Sequence, residues 1–86
     1  MRWARKRDAN EISIFDALRV AGCDPVRCTD FDIGASHADG YGVMLEIKVA
    51  KGRLRPIQER LKEIFKDRYK VARSVEDALR ACGRMV

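Results

Sequence analysis

Residues 42–49, GVMLEIKV, constrain this chain more than any other stretch. Val43, Leu45, Ile47 and Val49 fall on one side of a period of two, and Met44, Glu46 and Lys48 on the other. That period belongs to a strand and not to a helix. One surface of the strand therefore carries a carboxylate and an ammonium side by side along the pleat. A shorter run precedes it, in which Phe31, Ile33 and Ala35 share a face and Asp32 points away. Asp39-Gly40 between the two runs is a strong turn signal. An antiparallel pairing of the runs brings a second carboxylate near Glu46.

The size of the chain sets what can surround this hairpin. Eighty-six residues make one domain near the small end for independent folding. Such a chain buries a modest core and often gains stability from a partner subunit or a staple. With 47% hydrophobic and 36% charged residues it is not a disordered chain. The net charge of +5 and the isoelectric point near 9.4 suggest a polyanionic partner, while 13 acidic residues argue against a histone-like arm. Cys23, Cys28 and Cys82 are odd in number and lack zinc-type pairing, and there is a single histidine. They read as reduced thiols of a cytoplasmic protein. No apolar run approaches the roughly 20 residues of a membrane span. The N-terminal MRWARKRD is basic with no apolar segment behind it, unlike a signal peptide.

Along the chain, Arg2, Arg5, Lys6 and Arg7 surround Trp3 in a basic arm over residues 1–8. It reads as a solvated terminus or as an arm that contacts phosphates, with Trp3 stacking or packing. Asp8 is a helix N-cap with Glu11 at the capping-box position. Ile14, Phe15, Leu18 and Ala21 recur at helical spacing and predict an amphipathic helix over 9–21, ended by Gly22. Glu11 has two readings, a reach back to the cap backbone or a carboxylate offered at the helix start, and the residues alone favour the cap. Asp24-Pro25 is a turn. Residues 26–28 begin the first strand, and 29–35 continue it or form the next. Asp30 and Asp32 then share a face, with Asp32 deeper in the apolar run. His37 falls in the hairpin loop and reads as a surface residue.

The basic, turn-forming stretch KGRLRPIQ follows, with Pro56 at the first position of a helix. Ile57, Leu61, Ile64 and Phe65 recur at i, i+4, i+7 and i+8, so this helix is predicted to pack that side on the sheet. Gln58 sits at the edge of the buried face in the first turn, where it satisfies loop backbone or contacts a ligand near the helix start. YKVAR, residues 69–73, is a short strand. Ser74 caps a last helix with Asp77 at the box position, an Ala78, Leu79, Cys82 face and Gly83 as its stop. The order is α-β-β-β-α-β-α, a mixed α/β domain with a central sheet flanked by helices.

Two carboxylates and a lysine on one surface can hold a divalent metal and polarise a phosphodiester. In order, RKRDANE with Glu11, Asp32 before the hairpin, LEIK with Glu46 and Lys48, and LRPIQ with Gln58 resemble the VRR-Nuc (virus-type replication–repair nuclease) branch of the PD-(D/E)xK nucleases. LEIK corresponds to the (D/E)xK element and LRPIQ to the family's Leu-x-Pro-x-Gln, and the terminal RSVEDAL is similar to the way such small nucleases end. The resemblance covers nearly the whole chain. It departs where the family has Pro before the first catalytic Asp, since Phe31 precedes Asp32 and Thr29 precedes Asp30, which leaves both aspartates open.

The resemblance implies a restriction-endonuclease-like PD-(D/E)xK core in a single domain over 1–86. It implies that Glu11, Asp32 and Glu46, with the backbone carbonyl of Ile47, coordinate Mg²⁺ or Mn²⁺. Lys48 would orient the attacking water or stabilise charge on the scissile phosphate, and Gln58 would support the site. On that implication Glu11 is better read as a ligand. A homodimer similar to Holliday-junction resolvases is also implied, with the first or last helix as the candidate interface. The expected activity is metal-dependent cleavage of DNA, specific for branched or flapped structure, in a bacterial or phage-infected cell. Arg2, Arg5, Lys6, Arg7, Lys51, Arg53 and Arg55 would track phosphates without reading bases, and no organic cofactor or membrane is called for. No helix-turn-helix or zinc finger offers base readout. The competing readings are a DNA-binding module of the same fold that does not cut or cuts only with a partner, and an interaction protein whose E-x-K is a surface ion pair.

Overall fold

A computed structural model describes residues 9–49 and 52–85. The elements run α1 (Ala9–Val20), β1 (Val26–Arg27), β2 (Ile33–Ser36), β3 (Gly42–Ile47), α2 (Pro56–Phe65), a single 3₁₀ turn (Lys66–Arg68), β4 (Tyr69–Ala72) and α3 (Val75–Ala81). This is the order the sequence predicts. The basic arm with Asp8, and Lys51, lie outside the described residues.

The four strands form one mixed sheet in the order β1-β2-β3-β4. β1 to β3 pair antiparallel and β4 joins β3 in parallel, so α2 is the crossover that a parallel pair requires. The β2–β3 hairpin closes at Ser36 opposite Gly42. Gly40 takes a φ of +97° in its turn, which a side chain would resist, as the Asp-Gly signal predicts.

One face of the sheet is closed. Val43, Leu45 and Ile47 enter a buried cluster with Ile33, Ala35 and Ala72, with Ile14 and Leu18 of α1, and with Ala78 and Cys82 at α3. α1 and α3 also pack on each other. Cys23 and Cys82 meet inside this cluster as free thiols, and burial pushes the Cys82 thiol up to about 12. Ser74 caps α3 by accepting from the Asp77 N–H at 3.1 Å. No helix among the described residues is long and apolar enough to cross a membrane.

Three expectations need correction. Residues 28–32 do not extend a strand; they bend, so Asp30 is exposed while Asp32 is buried just ahead of β2, and the two do not share a face. β3 ends at Ile47, leaving Lys48 just past it and Val49 exposed instead of in the core. On α2 the predicted stripe does not pack on the sheet: Ile57, Ile64 and Phe65 are exposed and Leu61 is half-buried. Gln58 is the buried residue of that helix.

Candidate active site: a buried carboxylate pair behind β3

Glu46 alternates with the core residues of β3, so its side chain leaves on the face that α2 covers. The register sets Ile33 against Leu45, which brings the preceding Asp32 to the level of Glu46. There Asp32 finishes the ladder with its side chain. Its N–H donates to the Leu45 carbonyl at 3.2 Å, and its Oδ2 accepts from the Ile47 N–H at 2.7 Å. A carboxylate stands where the next strand carbonyl would have been, and this is why Asp32 tolerates an exposure of only 2%.

Glu46 is 3% exposed and is held from two elements. The Gln58 amide in the first turn of α2 donates to Oε2 at 2.9 Å. The Tyr69 hydroxyl on β4 donates to Oε1 at 3.0 Å. The Gln58 amide is itself fixed, because its oxygen accepts from the Arg55 N–H at 2.8 Å and so closes the N-terminus of α2. The backbone reading of Gln58 holds, and the same amide reaches the Glu46 carboxylate. No buried side-chain nitrogen or oxygen among the described residues lacks a partner.

The electrostatics follow from the burial. Desolvation raises the Glu46 carboxyl, and a hydrogen bond and repulsion from Asp32 raise it further, to about 7. The Tyr69 hydrogen bond and the charge of Lys48 oppose that rise without cancelling it. Burial, and then Glu46, push the Tyr69 phenol well above its ordinary range, so it remains a donor. Near neutrality Glu46 therefore tends to keep a proton that an ordinary carboxyl would have lost.

The other sequence-predicted residues divide. Lys48 is half-buried beside the pair, and Arg53 and Arg55 are exposed in the loop leading to α2. Ile47 is tied through its N–H to Asp32. Glu11 is buried in the first turn of α1, but its Oε2 lies 3.7 Å from Arg27 Nε, and the Arg27 guanidinium sits 4.0 Å over the Phe15 ring. Among the described residues no three His, Cys, Asp or Glu side chains gather to hold a metal ion, so Glu11 does not join Asp32 and Glu46 in a three-acid group. His37 belongs to the hairpin. Its Nδ1 accepts from the Asp39 N–H at 3.0 Å and its ring stacks on Tyr41 at 4.6 Å.

Sequence reasoning missed Tyr69 and Arg27. The signal for Tyr69 was its type, an apolar ring with a hydroxyl that seeks a partner when buried. Its partner became visible only with the β3–β4 register, which sets Glu46 against Val71 and so places Tyr69 on the same face. For Arg27 the sequence offers only a place in the first strand, with nothing to mark its pairing with Glu11. No family model matches this chain, and neither a curated protein nor a solved structure matches it.

Proposed function

We propose that the chain is a divalent-metal-dependent nuclease of the PD-(D/E)xK type, similar to the VRR-Nuc branch, acting on the phosphodiester backbone of structured DNA. The observation that carries this reading is the buried Asp32–Glu46 pair with Lys48 beside it. Two carboxylates in contact, the Glu46 carboxyl raised to about 7, form a donor set that a hard divalent cation suits, since it would take the place of the Glu46 proton. Asp32 and Glu46 are the residues that would hold Mg²⁺ or Mn²⁺. When bound, the cation supplies Lewis acidity and neutralises the anionic substrate.

The rest of the chemistry belongs to this chain's own side chains. Gln58 and Tyr69 fix the orientation of Glu46. Lys48 offers an ammonium where charge grows on the phosphate. Arg53 and Arg55 would meet backbone phosphates without reading bases. The element order α-β-β-β-α-β-α, with Asp32 just ahead of β2, Glu46 near the end of β3 and Lys48 just past it, supports the PD-(D/E)xK core. The pairing of Glu11 with Arg27 favours a second reading, a DNA-binding module of the same fold that cuts only when a partner or the substrate frees Glu11.

A labelled panel of duplex, single strand, flap and four-way junction separates these readings, run with Mn²⁺, Mg²⁺ or EDTA. The nuclease reading expects metal-dependent cutting that Glu46→Ala reduces to background. Binding without cutting supports the module. Cutting that survives Glu46→Ala in protein purified free of other nucleases would sink the first reading.

A further inference from the structure

Two of the three cysteines meet where neither the packing nor the carboxylate site calls for a thiol. Cys23 follows the turn that ends α1, and Cys82 closes the last turn of α3. Both are 0% exposed in the closed core, both are free, and their thiols lie within hydrogen-bonding reach of each other. One short stretch of chain sets their backbones side by side. The Ser36 N–H donates to the Cys23 carbonyl at 2.7 Å, and two residues on, the Ala38 N–H donates to the Cys82 carbonyl at 2.8 Å. Each cysteine is also tied to its own helix, the Cys23 N–H to the Leu18 carbonyl at 2.9 Å and the Cys82 N–H to the Ala78 carbonyl at 3.1 Å. As a small apolar group, either thiol could be replaced by another residue; what the pair adds is reactivity. Cys28 stands apart, lining the groove on the other face of the sheet with its thiol directed at the Val26 carbonyl, 3.8 Å away.

We infer that Cys23 and Cys82 form a reversible dithiol–disulfide site, oxidised by exchange with a small-molecule disulfide such as glutathione disulfide. One cysteine, as thiolate, attacks a sulfur of the small disulfide, and the first small thiol leaves with the proton. The second cysteine then attacks the mixed disulfide, and its proton leaves on the second small thiol. Two protein S–H bonds and one small S–S bond are thereby exchanged for one protein S–S bond and two small thiols. A bond of about 2 Å suits side chains that already face each other on fixed backbones, as these do. The link joins the end of α1 to the end of α3 and closes a loop over residues 23–82, most of the chain. A loop of that length is where a cross-link takes the most freedom from the unfolded chain. In a domain with a modest core, it locks together the two helices of the closed face. Access comes from the chain's end. α3 has only 7 residues, and lifting its last turn uncovers Cys82. While the turn is shut, burial keeps the Cys82 thiol protonated and unreactive at neutral pH. The inference is independent of any chemistry at Glu46.

The test uses the full chain, reduced, freed of reductant and equilibrated with mixtures of glutathione disulfide and glutathione. It is run in buffer and in urea below the unfolding transition, which opens the end of α3 more often. Alkylation, proteolysis and mass spectrometry then locate each cysteine. The expected product is a Cys23–Cys82 link that leaves Cys28 out. The linked protein should melt at least about 8 °C above the reduced one. At one glutathione mixture the ratio of linked to reduced chain should be at least about thirtyfold higher for folded than for fully unfolded protein. Cys23→Ala should melt at the same temperature in oxidant and in reductant, and the wild-type comparison decides alone if that variant does not fold. Free Cys23 and Cys82 after equilibration in both buffer and urea would overturn the inference. So would stable glutathione adducts on either residue, a link through Cys28, or a link that lowers the melting temperature.

Discussion

The two faces of the sheet are built from alternate residues of the same strands and do opposite things. Under α1 and α3, Val43, Leu45 and Ile47 join a cluster made entirely of apolar side chains and two thiols. Under α2, one residue along, Glu46 and Asp32 are equally buried but survive there only through named donors. Beyond them, among the described residues, the same face opens into a groove over β1 and β2. The closed face carries the fold. The other face tolerates a like-charge pair and an open groove because the first has already secured the chain. A small domain with a single sheet can place its chemistry on one side in this way.

The largest effect should come from the closed face. Leu45→Ala removes a fully buried side chain from the centre of the cluster and should cost about 2–5 kcal/mol in a urea titration. A loss well under 1 kcal/mol would break the comparison, since it would mean that the α1/α3 face is not where stability resides.

The sign reverses at the neighbouring residue. The folded state holds the Glu46 proton more tightly than the unfolded chain, about 7 against an ordinary 4.5. Between those values the native state binds more protons, so this group's contribution to stability falls as pH rises and stays low above about 7. Glu46→Gln carries no charge to desolvate. It should stabilise the fold by on the order of 2–3 kcal/mol at pH 8, with the gain vanishing near pH 4. Urea midpoints of the variant and wild type at both pH values measure it, and the difference between the two proteins isolates this group from other titrating carboxylates. A gain equal at both pH values would point to packing instead of charge. If the variant is also inactive, the same carboxylate lowers stability and serves the reaction, as expected of a site built for a ligand.

How much of this could be read beforehand differs between the faces for a physical reason. The alternation of Val43, Leu45 and Ile47, the Asp39-Gly40 turn, and the caps at Pro56 and Ser74 are local signals, and local signals placed the elements and the closed face. The nearness of Asp32 to Glu46 needed only the hairpin pairing. The choice between Asp30 and Asp32 did not follow, because strand periodicity assumes a strand and residues 28–32 bend. The stripe Ile57, Leu61, Ile64, Phe65 was real as a stripe, but periodicity says which residues share a face and not where that face points. Gln58 took the inward position because the buried Glu46 carboxylate and the Arg55 N–H both needed its amide. Tyr69 required the register of a parallel pair, which rests on a crossover and leaves no mark in a short sequence.

The smallest effect sharpens the comparison most. Tyr69→Phe keeps the ring in place and removes one donor from Glu46 Oε1. The stability lost should be about 1 kcal/mol, the net worth of a single hydrogen bond and far from the loss at Leu45. The titration of Glu46 should move the other way from what a donor does. The hydroxyl holds the carboxyl down against burial and Asp32, so its removal should carry the midpoint above about 7, read from the carboxyl carbon of Glu46 by NMR. An unchanged midpoint with a large loss of stability would show that Tyr69 serves as core and that the polar character of this face ends at Gln58. A raised midpoint with a small loss would make Tyr69 a positioning residue for the carboxylate, contributed by the strand that α2 crosses over to reach.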